Sequence, residues 1–353
     1  MPRTEFIATG FQVPARLVTN DDLAGMMDTS DEWIVQRSGI QTRYWVANGD
    51  TGASLAKAAS TKALAKASLT PADLDCIIYC TCTPDHFEPG NGVFLQRELG
   101  ITDIPAVDVR NQCSGFIYGL SIADAWIRMG QYKRILLVGA EVHSRGLDKT
   151  RRGRETAVLF GDGAGAAILG PTTDAKRGVL STHIFADGRH AEKLWVDGPG
   201  LAHDPYVSVE MLERGLHRAV MEGREVFKFA SVKMPESISV ALEANGLTPA
   251  DIRLLVPHQA NLRILEMVQR AVGLRDDQVY VNIQKYGNTT AASIPIALDE
   301  ALAEGRLHSL VTASSALSSR SRRAAPSACA DPRYRSANRA SSTFKRSRRP
   351  VFV

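Results

Sequence analysis

Residues Leu69-Thr70-Pro71-Ala72-Asp73-Leu74-Asp75 and Leu247-Thr248-Pro249-Ala250-Asp251-Ile252-Arg253 nearly repeat one another, 178 positions apart in a chain of 353. Each copy runs into an apolar stretch, Cys76 to Thr81 in one and Leu254 to Val256 in the other. Proline and aspartate at these spacings make a turn that feeds a buried strand. A unit repeated at half the chain length predicts two similar α/β halves side by side. The expected division is residues 1–172 for the first half, 173–308 for the second, and an atypical segment over 309–353.

The rest of the pattern fits α/β. Phe6 to Phe11 reads as a first strand, and Thr19 and the Thr29-Ser30 pair cap two short helices. Thr51 to Lys66, with Leu55, Ala59 and Ala63 helically spaced, predicts a longer helix. Asn91 to Leu99 is a helix stopped by Gly100. Arg134 to Gly139 is a nearly continuous apolar run, as in strands covered on both faces. Thr156 to Phe160 and Ala164 to Leu169 read as two strands around a tight Gly161-Asp162-Gly163 turn. Gly178 opens a further strand, and Pro235 to Asn245 predicts a helix with Gly246 as its stop.

The net charge of +4 conceals two unlike regions. Ser309 to Val353 carries ten Lys and Arg against one acidic residue, a local +9, which leaves −5 for residues 1–308. A mildly acidic body argues against nucleic acid as a partner. No apolar run reaches about 18 residues, so no membrane span is expected. The start, Met1-Pro2-Arg3-Thr4-Glu5-Phe6, lacks a basic region followed by a hydrophobic one, so no signal peptide is expected. Five cysteines in a long chain do not make a disulfide scaffold. The expectation is a reduced, cytoplasmic protein.

Three junctions carry chemistry. Val107 to Gln112 reads as a strand, and Phe116, Leu120, Ala123 and Ile127 as the face of a helix, with Cys113 at its first turn. Unpaired N–H groups and the helix dipole favour a thiolate there, which makes Cys113 a candidate nucleophile. A small buried hydrophobe is the commoner fate of a free cysteine, and the stretch alone leaves both readings open. His258, in Val256-Pro257-His258-Gln259-Ala260-Asn261, and Asn288, in Tyr286-Gly287-Asn288-Thr289, also sit ahead of helices, where open α/β sheets place their sites. Singly, the histidine reads as structural and the asparagine as a turn residue.

Together these stretches resemble β-ketoacyl-acyl carrier protein synthase III, a condensing enzyme of the thiolase superfamily. The motifs appear in the family's order: Asp31-Glu32-Trp33-Ile34-Val35-Gln36-Arg37-Ser38-Gly39-Ile40, the Cys113 stretch, Phe160-Gly161-Asp162-Gly163-Ala164-Gly165-Ala166, Gly223-Arg224-Glu225-Val226-Phe227-Lys228, Pro257-His258-Gln259-Ala260-Asn261 and Tyr286-Gly287-Asn288-Thr289. The likeness spans about residue 5 to about residue 307. It implies a thiolase-like fold, with two duplicated α/β halves in a five-layered αβαβα arrangement, and a homodimer. It implies that Cys113 is acylated by an acyl-CoA and that His258 and Asn288 complete a Cys-His-Asn triad for condensation with malonyl-acyl carrier protein. It implies Trp33, Arg37 and Arg154 as CoA-binding residues, Lys228 and Arg263 as carrier-protein docking residues, and Phe87 as an acyl-pocket aromatic closing the partner subunit's tunnel. Acyl-CoA is a substrate, and no metal or redox cofactor is implied. The neighbours of Phe87, Asp85-His86 and Glu88-Pro89, differ from the commonest members, which leaves acyl length open.

Other signals are discounted. Cys76, Cys80 and Cys82 with His86 do not have a usual zinc spacing. His183, His190 and His203 read as surface residues. Gly161-Asp162-Gly163-Ala164-Gly165 enters a strand, whereas a dinucleotide loop enters a helix.

The chain departs from the family after Leu307. The family closes with an apolar strand and a Gly-Phe-Gly turn whose backbone N–H joins the cysteine's own in the oxyanion hole. Here only Leu310-Val311-Thr312 resembles it, followed by Ser/Arg-rich sequence. The expectation is a missing strand, a lost oxyanion donor, and a disordered or frameshifted tail over 309–353. Resequencing the end of the gene tests the frameshift. Two alternatives to the condensing enzyme remain: a thiolase-fold acyltransferase or head-to-head condensing enzyme of secondary metabolism, and an inactive acyl-CoA or carrier-protein binding protein.

Overall fold

The computed structural model describes residues 1–174, 177–307, 311–315 and 350–352. The two copies of the repeat adopt one conformation. In the first, the Asp73 carboxylate accepts from both the backbone N–H and the hydroxyl of Thr70 at 2.8 Å. In the second, Asp251 accepts from the same two groups of Thr248 at 2.9 and 2.7 Å. Each closes a one-turn 3-10 helix, Pro71–Asp73 or Pro249–Asp251, and each turn delivers the chain into a buried strand, Cys76–Cys80 or Leu254–Leu255.

Those strands belong to two different sheets. The first has the order Arg3–Gln12, Gly163–Thr172, Ile135–Glu141, Cys76–Cys80, Ala106–Val109. Its last three strands are parallel, and Gly163–Thr172 runs antiparallel to both neighbours. All seven residues of Ile135–Glu141 are buried, as its apolar run predicts. The second sheet has the order Leu254–Leu255, Val351–Phe352, Val311–Ser315, Gly178–His183, parallel throughout.

Helices cover and separate the sheets. Leu55, Ala59, Ala63 and Leu64 of helix Gly52–Ala67 pack with Ile77, Tyr79, Leu136 and Val138 on the outer face of the first sheet. On its inner face lie Phe116, Leu120 and Ile127 of helix Gly115–Arg128 and Ala297 and Leu298 of helix Ser293–Ala303. The same core takes in Val179, Leu254 and Val351, so these two helices form the middle layer. Helices Gly223–Ala244 and Leu262–Val272 cover the far side of the second sheet through Met234, Ile238, Ile264 and Val268 against Leu255. The result is the five-layered αβαβα arrangement of a thiolase-like fold.

Three expectations fail locally. Thr156 to Phe160 is not a strand: Arg154–Ala157 forms a helical turn, and Phe160 makes only an isolated bridge to Asn288. The turn's Asp162 is spent on distant partners, accepting from Val46 N at 2.8 Å and Ser144 N at 2.9 Å, so the segment ties loops together instead of closing a hairpin. The helix predicted to start at Pro235 begins at Gly223 and passes through the proline. Tertiary packing overrides the local cost of a missing N–H there. Finally, the sheet position expected to be vacant after Leu307 is filled. Val311–Ser315 pairs with Gly178–His183, and Val351–Phe352 lies between it and Leu254–Leu255. Arg253 N donates to Pro350 O at 2.7 Å beside that strand. Residues 316–349, most of the basic segment, lie outside the described residues. Among the described residues no helix is long and apolar enough to cross a membrane.

Candidate active site

Cys113 sits in a 3-10 turn, Gln112–Ser114, between strand Ala106–Val109 and helix Gly115–Arg128. The turn forces Gln112 into the left-handed region at φ 43, a cost that non-glycine residues rarely carry and that clusters at functional sites. A helix start favours a thiolate here, and the structure opposes it. Desolvation, and then the charge of Glu141, push the thiol up to about 12, while its own backbone N–H pulls the other way. Cys113 therefore rests as a thiol.

Gln112–Ser114 packs against the 3-10 turn Thr290–Ala292, which leads into helix Ser293–Ala303. A Cβ on Gly139 would collide with the Ala291 carbonyl, so only glycine lets this turn lie against strand Ile135–Glu141. Asn288 enters the turn. Its N–H donates to Leu159 O at 2.8 Å and its carbonyl accepts from Gly161 N at 3.1 Å. Its Oδ1 accepts from Thr290 N at 2.9 Å, which fixes the side-chain amide and leaves Nδ2 with no partner among the described residues.

His258 follows strand Leu254–Leu255. Its Nδ1 lies 2.6 Å from the hydroxyl of Ser293, the first residue of the helix after that turn. Its Nε2 is buried and has no hydrogen-bond partner among the described residues. Burial lowers the imidazole to about 4, so the ring is neutral at ordinary pH. Cysteine turn, asparagine turn and histidine thus meet around the start of one helix, with an unpaired imidazole nitrogen and an unpaired amide among them.

Behind this site is a group the sequence analysis missed. Glu141, wholly buried, accepts from the hydroxyls of Thr81 and Thr83 at 3.0 and 2.6 Å and from the N–H groups of Cys82, Thr83 and Ala291. Burial outweighs these donors and raises its carboxyl to about 7. Cys82, Glu141 and His143 bring three potential metal-ligating atoms within 4.8 Å of one another. Each is already engaged: the Cys82 thiol lies 3.6 Å from Glu141, and His143 Nε2 lies 2.6 Å from the Thr290 hydroxyl. A charged residue ending a wholly apolar strand was the available signal for Glu141.

The predicted CoA residues also converge. The guanidinium carbons of Arg37 and Arg154 lie 4.5 and 4.7 Å from the Trp33 ring centre. Arg37 reaches it from one turn along the same helix, Asp31–Ser38, and Arg154 from a remote segment held by Asp28 O at 2.8 Å. Lys228 and Arg263 are exposed, on the two packed helices of the far layer. Phe87 is 64% exposed and meets Tyr206 edge-on at 6.1 Å.

Comparison with known proteins identifies the lineage. A family described as 3-oxoacyl-[acyl-carrier-protein (ACP)] synthase III matches residues 107–188, and its C-terminal counterpart matches residues 242–315. The β-ketoacyl-[acyl-carrier-protein] synthase III of Rhodospirillum centenum is 46% identical over 309 residues, covering 86% of this chain and 92% of the relative. The chain belongs to the 3-oxoacyl-[acyl-carrier-protein] synthase III family. The crystal structure of the Aquifex aeolicus VF5 synthase III superposes with a TM-score of 0.78 at 40% identity, covering 86% of this chain and 92% of that one. The priming β-ketosynthase of the R1128 polyketide pathway does so with a TM-score of 0.78 at 30% identity, covering 87% and 89%. The C-terminal match reaches Ser315, beyond the limit near residue 307 expected from motifs, and takes in strand Val311–Ser315.

Proposed function

We propose that this chain catalyses decarboxylative Claisen condensation of an acyl-CoA primer with malonyl-acyl carrier protein. In the first half-reaction the Cys113 sulfur bonds to the thioester carbonyl carbon and the bond to the CoA sulfur breaks. CoA departs with the electron pair, and the cysteine's proton passes to it. In the second, the malonyl C–CO₂ bond breaks and its electrons form an enolate. His258 Nε2 and the Asn288 amide donate to that oxygen as charge builds, and donors of this kind contribute roughly 3–4 kcal/mol each. The enolate carbon attacks the acyl-cysteine, and sulfur leaves to give a β-ketoacyl thioester. The observation carrying this reading is the unpaired imidazole nitrogen and unpaired amide beside the cysteine turn.

Around that centre, Trp33, Arg37 and Arg154 are proposed to hold the CoA adenine by stacking and cation–π contact. Lys228 and Arg263 are proposed to meet the acidic carrier protein. The proposed assembly is a cytoplasmic homodimer in which Phe87 reaches the partner subunit's acyl pocket; its exposure supports this. Neither metal nor redox cofactor enters these steps. Residues 1–172 and 173–308 are the proposed halves.

The test is incubation with acetyl-CoA or longer acyl-CoAs and malonyl-carrier protein, following CO₂ release and Cys113 acylation by mass spectrometry. Acylation and condensation are expected, and Cys113→Ser should abolish both. Acylation without condensation would indicate simple acyl transfer. No acylation in the unaltered chain would indicate a binding protein.

A further inference from the structure

We propose that the Ser293 hydroxyl is a positioning group that locks His258 in the tautomer protonated on Nε2, so that the ring donates at the reacting thioester and does not accept there. The inference rests on the reaction proposed above, and it concerns a residue that no motif in the sequence singles out.

A serine hydroxyl has one proton to give and two lone pairs to receive with. The Gln259 N–H points at Ser293 Oγ at 3.4 Å and takes up one lone pair. The hydroxyl proton has a single neighbour placed to accept it among the described residues, His258 Nδ1 at 2.6 Å. Ser293 is 2% exposed, so water does not compete for that proton. The chain of donors runs Gln259 N–H to Ser293 Oγ, then Ser293 O–H to His258 Nδ1. A neutral imidazole accepting on Nδ1 carries its proton on Nε2. The opposite tautomer would put a proton between Nδ1 and Oγ and leave the serine proton without an acceptor in a buried site. Nε2 is buried with no protein partner among the described residues, so its N–H is left for a ligand.

This assignment divides the catalytic cycle. With Nε2 protonated, His258 does not take the proton that Cys113 gives up, so primer transfer proceeds without its help as a base. Enolate formation, in contrast, depends on the donor that Ser293 orients. Losing that orientation, while the ring remains, should depress the second half-reaction alone.

The experiment uses the full chain labelled with ¹⁵N-histidine, with the His258 resonances assigned by a His258→Gln variant. The unaltered chain should show His258 protonated on Nε2. Ser293→Ala should show the tautomers mixed. It should also lower kcat for decarboxylation of malonyl-carrier protein about tenfold, less than the roughly 10²–10³ lost when an oxyanion donor is removed outright because the ring remains, with KM unchanged. The rate of Cys113 acylation by acetyl-CoA should stay within about twofold. An Nδ1-protonated ring in the unaltered chain overturns the proposal, as does a Ser293→Ala variant with unchanged decarboxylation. An equal fall in both half-reactions also overturns it, since a merely structural serine would behave so. Should Ser293→Ala fail to fold, the spectrum of the unaltered chain decides by itself. Should the unaltered chain neither acylate nor decarboxylate, the proposed reaction fails while the tautomer is still read directly.

Discussion

Cys113 and Glu141 set the electrostatics of the site between them. A helix-end thiol is activated by the dipole in an open setting. Here desolvation, and then the charge of Glu141, raise Cys113, so the group rests as a thiol. Glu141 leaves a signature in stability. Its carboxyl rises from 4.5 to about 7 on folding, so between those values the folded chain holds a proton that the unfolded chain has lost. Stability from this group is present at low pH and falls as pH climbs from about 4.5 to 7, by about 3 kcal/mol. His258 and His143 act in the opposite sense, being lowered to about 4 and about 3, and cost stability as pH drops below 6.5. Comparison with Glu141→Gln isolates the carboxyl: urea unfolding across pH 4.5 to 7 should show the unaltered chain losing stability relative to the variant as pH rises. Parallel pH profiles would remove Glu141 as a titrating group.

At the scale of elements, turn chemistry was legible and long-range rescue was not. The Thr-Pro-Ala-Asp turns announce themselves because every hydrogen bond that makes them lies within four residues. The helix through Pro235 and the non-strand at Thr156 to Phe160 were misread because their partners are remote. The end of the chain is the clearest case. Nothing in the Ser/Arg-rich composition marks Val351–Phe352 as a strand, yet it pairs on both sides within a parallel sheet. Val351 is buried at 1% exposure, and burying such a side chain is worth roughly 1.5–3 kcal/mol. Truncation after residue 349 should therefore lower the melting temperature by a few degrees, read by calorimetry. An unchanged melting temperature would show that the strand adds nothing in solution.

Across the whole molecule, the two sheets share one core. Phe116, Leu120 and Ile127 face a layer that also holds Ala297 and Leu298, with Val179 and Leu254 beyond. Neither half closes its own interior, so the duplication visible in the sequence does not yield two independent domains. Residues 1–172 expressed alone would expose the apolar inner face of helix Gly115–Arg128. They should aggregate or elute as large species on size exclusion, whereas the full chain should not. A soluble, monomeric fragment with native-like secondary structure would refute the shared-core account. The candidate active site depends on the same layer, because Cys113 lies in the turn that leads into one of its helices and Ser293 opens the other.

The sequence by itself determined the repeat, the strand-to-helix junctions at Cys113 and His258, the order of the family motifs and hence the lineage. These are local properties, written in turn residues and short-range periodicity. Even the Trp33–Arg37 contact follows from one helical turn. Only the tertiary structure decided the protonation state of Cys113, the Glu141 hub behind it, the serine beneath His258 and the strand that completes the second sheet. Ser293 and His258 are 35 residues apart and Thr81 and Glu141 are 60 apart, separations that no periodicity encodes. What joins them is packing of the middle layer between two sheets, and the pKa of a buried group is set by what that packing brings to it. The thiol is the sharpest instance: a helix start favours its thiolate, while desolvation and the charge of Glu141 keep it protonated.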